Sequence, residues 1–293
     1  VPRFPLFLEF KQSLKNPAAE EAIDLIFYRP LAFLFVKALR LLPITPNQIS
    51  LCAMAAGITG GFFFTGGAPR DFITGALFYG LSNILDCCDG MIARLKKNGT
   101  PTGRIVDGLV DYVNGIAIYA GFGIGLTKAV HSGALHMPFH CDVWILMIAA
   151  AASFAAHAML SDKYRNAFLE QSRHSAQDSE NELEKCKVEQ VRLRELRGRH
   201  FDKILIGLYI KYLQIQEGPL GKNNSSCGTR VREIRGSTVV LWNCIGPSTH
   251  ITFLIVPACF FYPAAFFLYV VGVANAWMLF LLLLQLKSNS NNR

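Results

Sequence analysis

Residues 86–111 read DCCDGMIARLKKNGTPTGRIVDGLVD and place Asp86, Asp89, Asp107 and Asp111 at helical spacings inside an otherwise apolar chain. Asp86 and Asp89 stand i, i+3 and Asp107 and Asp111 stand i, i+4, so each pair projects from one helix face. The run from Lys96 to Thr102, with Gly99 and Pro101, reads as a short connection between two helices. So short a link makes those helices antiparallel neighbours, and their carboxylates meet. Ionisable groups in or near hydrocarbon are costly, and by default they mark a functional site.

The surrounding chain supports a membrane setting. Its 293 residues are 52% hydrophobic and 12% aromatic, and the apolar residues fall in blocks. About 20 predominantly apolar residues cross the hydrocarbon. Six segments approach that length: 47–66, 70–90, 104–126, 143–161, 237–261 and 263–286. The expectation is an all-α integral membrane protein, a six-transmembrane-helix bundle. With both termini inside, all of the 29 Lys and Arg residues except Arg70 and Lys128 lie on one side. Positive loops stay cytoplasmic, which puts the Asp cluster on the cytoplasmic face of a multi-pass protein, read here as one of a bacterial inner membrane. The net charge of +8 then reflects topology and attraction to anionic membrane lipids. No groove-reading motif accompanies it, so nucleic acid is not an expected partner.

Four units follow along the chain. Residues 1–44 mix Phe7, Leu8, Leu14, Ile23, Ile26 and Phe27 with charges and read as N-terminal interfacial amphipathic helices; the run 31–43 as a short span would place the basic N-terminus outside. No cleavable signal peptide is expected, because Glu9, Lys11 and Lys15 break the first apolar stretch. Residues 45–161 hold the first four spans. Thr45 is a candidate N-cap with Pro46 at the first helical position, and Asn47 and Ser50, i, i+3 on one face, serve either that helix start or a polar ligand. Residues 162–236 form a charged cytoplasmic helical insertion: a low-apolar stretch 171–187, a helical pattern from Val188 to Leu213 interrupted at Gly198, and a polar stretch 217–226. It suits a solvated cap, a helix on the head groups, or a homodimer contact. Residues 237–293 carry the last two spans and a tail, with Asn243 and His250 expected to face the bundle interior. The cysteines read as free thiols, and His131, His136, His140 and Cys141 match no common zinc spacing.

Four convergent carboxylates repel, and some must take up protons unless a cation is present. All-oxygen ligands favour Mg²⁺ or Mn²⁺, and four carboxylates suit two ions. Gly90 and Ala93 lack bulk one turn apart and leave a slot for a flat ring. Arg94 can fork to phosphate oxygens. Each element alone has a bland explanation, since helix ends are often acidic and small residues pack helices. Together they describe a site for a nucleotide diphosphate.

The pattern Asp86, Asp89, Gly90, Ala93, Arg94, Gly103, Asp107 and Asp111 resembles, without a gap, the signature of the CDP-alcohol phosphotransferase family. The Pro46-Asn47 helix start and the six-span layout are also similar, so the likeness covers about 45 to 286. The resemblance implies transfer of a phosphoryl-alcohol group from a CDP-linked donor to a second alcohol with release of CMP. It implies that Asp86, Asp89 and Asp107 are metal ligands, with Asp111 touching a second ion and acting as the catalytic base. It further assigns Asn47, Ser50, Gly90, Ala93, Arg94 and Gly103 to CDP binding. Cys87 and Cys88 fill variable positions, and Tyr112 stands where many relatives have a basic residue.

A site at head-group level takes a lipid donor from the bilayer and a polar alcohol from the cytosol. The expected enzyme is therefore a membrane phosphatidyltransferase of phospholipid biosynthesis. It would use CDP-diacylglycerol and a small polar alcohol acceptor, inositol phosphate or glycerol phosphate favoured. Tyr164 and Arg165, where the fourth span emerges, are candidate acceptor-binding residues, though positive-inside anchoring explains Arg165 equally well. The rival readings are a CDP-aminoalcohol phosphotransferase with diacylglycerol as acceptor and, more remotely, a divalent cation transporter.

Overall fold

The computed structural model describes residues 5–14, 16–96, 99–174, 182–195, 203, 206, 207, 209, 210 and 236–290, and among these there is no strand. The elements are α1 (Pro5–Ser13), a 3-10 turn (Pro17–Ala19), a π-helical turn (Asp24–Tyr28), α2 (Arg29–Leu39), α3 (Pro46–Phe64), α4 (Pro69–Leu95) and α5 (Pro101–His131). They continue with α6 (Val143–His174), α7 (Glu182–Glu195), α8 (Gly236–Asn243), α9 (Pro247–Cys259), α10 (Ala264–Phe267), a second π-helical turn (Leu268–Val273) and α11 (Ala274–Ser290).

Helix α3 is the hub, packing most extensively on α4 and then on α5, whereas α4 and α5 touch each other little. Glycines permit this. A β-carbon on Gly121 would sit inside the Gly61 carbonyl, and one on Gly125 inside the Phe64 carbonyl. Small residues allow backbones to meet where lipid supplies no hydrophobic drive between helices. Beyond the glycines, Phe64, Phe72, Phe122 and Phe266 pack edge to face, with centroids 5.2–5.8 Å apart. This aromatic block closes the end of the bundle opposite the carboxylates.

Four stretches are long and apolar enough to cross a membrane among the described residues: Ile105–His131, Val143–Leu169, Gly236–Cys259 and Ala264–Leu286. Of the six expected spans, these are the last four. Helix α3 starts with Asn47, Gln48 and Ser50, and α4 carries Arg70, Asp71, Asp86, Asp89 and Arg94, polar residues that dilute their apolar length. Two boundaries also move. Helix α6 runs unbroken from Val143 to His174, past the expected end at 161. The expected span 237–261 is divided at Gly246-Pro247, where Pro247 opens α9. The predicted interruption at Gly198 and the stretch 217–226 lie outside the described residues.

Local signals account for the helix starts. Thr45 and Gln48 form a reciprocal capping box before α3, the Thr45 amide donating to Gln48 Oε1 at 2.9 Å. The Thr100 hydroxyl accepts from the Gly103 amide at 3.0 Å, with Pro101 first in α5. Helix α9 is capped from elsewhere in the chain. The Glu21 carboxylate accepts from the amides of Ser248 (3.1 Å) and Thr249 (2.9 Å) and from the Thr249 hydroxyl (2.8 Å). A β-carbon on Gly246 would collide with it.

That cap ties the N-terminal segment to the bundle. Asn243 Nδ2 donates to the carbonyls of Ala19 (3.2 Å) and Glu20 (3.1 Å), and Arg29 Nε donates to Glu20 at 2.8 Å. Helix α2 lays Ala32, Phe33 and Val36 against Cys87, Cys88, Met91 and Ile92 of α4. Phe7, Ile26, Phe27 and Leu34 face outward.

Burial, helped by the neighbouring Asp24 carboxylate, pushes the Glu21 carboxyl up to about 7 against the pull of its three donors. A carboxyl raised on folding contributes stability below its unfolded value and loses it as pH rises through the folded value. Thermal midpoints of the solubilised protein should therefore fall between pH 5 and 8, and Glu21→Gln should flatten that fall. Equal slopes in the two proteins would refute the assignment. Glu21→Ala, which strips one buried and one partly buried amide of their acceptor, should cost roughly 2 kcal/mol of stability.

Candidate active site

The first turns of α3 and α5 and the last turns of α4 come together around carboxylates. Asp86, Asp89 and Asp107 each offer an oxygen, and the three oxygens lie within 4.8 Å of one another. Asp89 is buried and the other two are half-buried. The Ser50 hydroxyl of α3 donates to Asp89 Oδ2 and also lies 3.2 Å from the Pro46 carbonyl. One α3 residue thereby fixes a carboxylate of α4. Asp111 stands one turn deeper on α5, outside the three-oxygen group but within electrostatic reach of Asp86, Asp107 and Asp162. An all-oxygen donor set at this separation fits a hard divalent cation with water completing its shell.

Beside the carboxylates opens a cavity lined by Pro46, Asn47, Ser50, Asp89, Gly90, Ala93, Gly99, Thr100, Gly103 and Asp107. The smallness of Gly90 is not demanded by packing. A β-carbon on Gly90 would meet nothing closer than the Arg94 guanidinium nitrogens at 3.4 Å, an ordinary contact. The missing side chain therefore leaves open space that a ligand can use. At Gly103 the fit is tighter, with Asn47 Oδ1 3.1 Å and Thr100 Oγ1 3.3 Å from where a β-carbon would lie.

Arg94 lies at the edge of this cavity rather than in its lining. Its Nε donates to the Ser13 carbonyl, and its Nη2 is buried without a hydrogen-bond partner in the protein. Arg29, whose Nη1 donates to the Cys87 carbonyl at 3.5 Å, adds a second guanidinium nearby. A bare, buried guanidinium donor beside a cavity is suited to an anion.

The two acceptor candidates stand apart from the cavity. The Tyr164 hydroxyl donates to Gln285 and its ring stacks on Trp242 at 4.7 Å, so it joins α6 to α8 and α11. Arg165 pairs with Asp162 one turn earlier and also feels the charge of Asp24. His250 is deep in the bundle, its Nε2 3.1 Å from His157 Nδ1, while His157 Nε2 meets Asn275 Oδ1 at 3.2 Å.

Several residues at the site carried no sequence signal. Gly99 and Thr100 read only as part of a short connection yet line the cavity. Glu20, Arg29 and the Ser13 carbonyl come from a segment remote in sequence, and no periodicity announces which of its charges turns inward. Asp162 was legible only as one charge in a basic run.

Comparison with known proteins is consistent with this geometry. The family model described as CDP-alcohol phosphatidyltransferase matches residues 43–173. A bifunctional IPC transferase and DIPP synthase of Rubrobacter xylanophilus is 32% identical over 83 residues, 28% of this chain. The aligned part spans only 18% of that relative's length. The carboxylates, the cavity and the Ser50 and Asn47 helix start all fall inside the matched stretch. Residues 43–173 form a domain of the CDP-alcohol phosphatidyltransferase family.

Proposed function

We propose that the protein is a membrane phosphatidyltransferase that moves a phosphatidyl group from CDP-diacylglycerol to a small polar alcohol, inositol phosphate or glycerol phosphate, releasing CMP. The observation that carries this reading is the convergence of Asp86, Asp89 and Asp107 beside a cavity floored by Gly90 within the family domain. The relative's name, an IPC transferase and DIPP synthase, supports a transferase. The setting is a multi-pass bundle of six spans with the site on the cytoplasmic face. The outward Phe7, Ile26, Phe27 and Leu34 suit helices lying in the interface.

In this reading Asp86, Asp89 and Asp107 would hold two Mg²⁺ or Mn²⁺ ions, with Asp111 as a further ligand to the second. When bound, the ions offset the negative charge of the diphosphate and of the departing CMP. Gly90, Ala93 and Gly103 leave room for the cytidine, Asn47 and Ser50 bound it from α3, and Arg94 turns its free Nη2 to a phosphate. The acceptor hydroxyl oxygen bonds to the lipid-side phosphorus, the bridging P–O bond breaks, and CMP leaves with the electron pair. The hydroxyl proton passes to Asp111. Arg165 serves the acceptor phosphate, while Tyr164 is assigned to helix packing.

Purified protein with labelled CDP-diacylglycerol, Mg²⁺ and a panel of acceptors should release CMP. CMP from a CDP-aminoalcohol with diacylglycerol instead would reverse the donor assignment, and none with either would sink the reading. Chelation of divalent ions should abolish release and added Mg²⁺ or Mn²⁺ restore it. Asp111→Asn should keep donor binding by calorimetry while losing turnover by at least ~10²-fold, whereas Asp107→Asn should weaken both. Near-normal turnover in Asp111→Asn would show that another group is the base.

A further inference from the structure

Below the carboxylates lies a polar lock between three helices. Asn114 of α5 is 7% exposed and Ser82 of α4 is 3% exposed. Asn114 Nδ2 donates to Ser82 Oγ at 3.0 Å, and Ser82 Oγ donates to the Ala53 carbonyl of α3 at 2.8 Å. The same Nδ2 lies 3.4 Å from that carbonyl. Three helices therefore meet through one amide, one hydroxyl and one backbone oxygen. Gly57 makes the room: a β-carbon there would overlap the Asn114 carboxamide.

The register of the lock is what gives it consequence. Asn114 follows Asp111 by three residues, Ser82 precedes Asp86 by four, and Ala53 follows Ser50 by three. At these spacings each lock residue lies one turn beneath a residue of the site, on the same helix face. Helices α4 and α5 touch each other little and lean separately on α3. The separation between Asp86 and Asp89 on one side and Asp107 on the other therefore depends on ties such as Asn114 to Ser82.

We infer that Asn114 is a positioning residue for the carboxylate site, setting through Ser82 and Ala53 the distance across which α4 and α5 share a divalent cation. This rests on the metal role proposed above for Asp86, Asp89 and Asp107. Loss of the amide removes the bonds of α5 to Ser82 and to the Ala53 carbonyl and frees α5 to drift from α4. Groups that orient metal ligands are worth about 10–100-fold in metal affinity when removed, and the lower half of that range suits a tie acting one turn away.

The test is Mn²⁺ binding to the purified full chain, followed by electron paramagnetic resonance of free Mn²⁺, so it does not depend on turnover. Asn114→Ala should weaken Mn²⁺ binding about tenfold, Ser82→Ala should weaken it less, and the double variant should be no worse than Asn114→Ala alone. Asn275→Ala breaks bonds to Ser153 (2.8 Å) and to the Val271 carbonyl (3.0 Å) far from the carboxylates. It should lower the thermal midpoint and leave Mn²⁺ affinity unchanged. Unchanged affinity in Asn114→Ala, or an equal loss in Asn275→Ala, overturns the inference and leaves the metal site standing. Absence of Mn²⁺ binding by the unmodified protein overturns the metal site itself and this inference with it. Should Asn114→Ala fail to fold, Ser82→Ala decides alone: affinity equal to that of the unmodified protein counts against the lock.

Discussion

The close approach of α3 to α4 and α5 is the constraint on which the rest depends. Gly60 and Gly75 bring α3 onto α4, and Gly61, Gly121 and Gly125 bring α5 onto α3, each at a place where a β-carbon would meet backbone or ring atoms of the neighbour. A helix in lipid gains nothing from burying apolar surface against another helix, so contact must come from tight packing and polar ties. With backbones this close, residues at the first turn of α3 and the facing turns of α4 and α5 share one small volume. Asp86, Asp89 and Asp107 are then forced together whatever their mutual repulsion, a repulsion that a bound cation would offset.

Polar groups elsewhere in the bundle answer the same problem, that a helix end or an irregular turn must satisfy its backbone groups without water. The gap between α8 and α9 exposes amides that Glu21 accepts from. At the π-helical turn before α11, Asn275 Nδ2 donates to the Val271 carbonyl at 3.0 Å and Oδ1 takes a bond from His157. The orientation of that carboxamide, donating to two acceptors, makes His157 Nε2 a donor and so leaves Nδ1 free to accept from His250. The imidazole pair is accounted for as a directional tie between α6, α9 and α11.

How legible these features were depends on whether their cause was local. The helix start at Thr45-Pro46 could be read directly, because cap and first-turn proline act within four residues; the start at Thr100-Pro101 was read only as part of the connection 96–102. The spacing of Asp86, Asp89 and Asp107 could be read because helical periodicity places them on known faces. The division at Gly246-Pro247 was hidden within a continuous apolar block, since its stabilising partner, Glu21, lies over two hundred residues away. The continuation of α6 to His174 was hidden for the opposite reason: charged residues after Ser161 end a hydropathic span without ending a helix. Arg29 and Ser13 beside Arg94 were not legible at all, because nothing local says which charge of a mixed segment turns inward.

The family match begins at residue 43, yet residues before it pack on the motif helix and hydrogen-bond to it between Arg94 and the Ser13 carbonyl, Cys88 and the Ala32 carbonyl, and Arg29 and the Cys87 carbonyl. These contacts engage the positions between and after Asp86 and Asp89 that the shared pattern leaves variable or assigns to phosphate. Cys88 Sγ lies 3.4 Å from the Ala32 carbonyl, and a larger side chain there would lift α2 from α4. Small, weakly polar side chains at 87 and 88 are thus matched to the close seat of α2, while the N-terminal segment holds Arg94 by its Nε and leaves Nη2 bare. The domain supplies the carboxylates and the cavity, and the segment before it decides which face of the arginine the cavity sees.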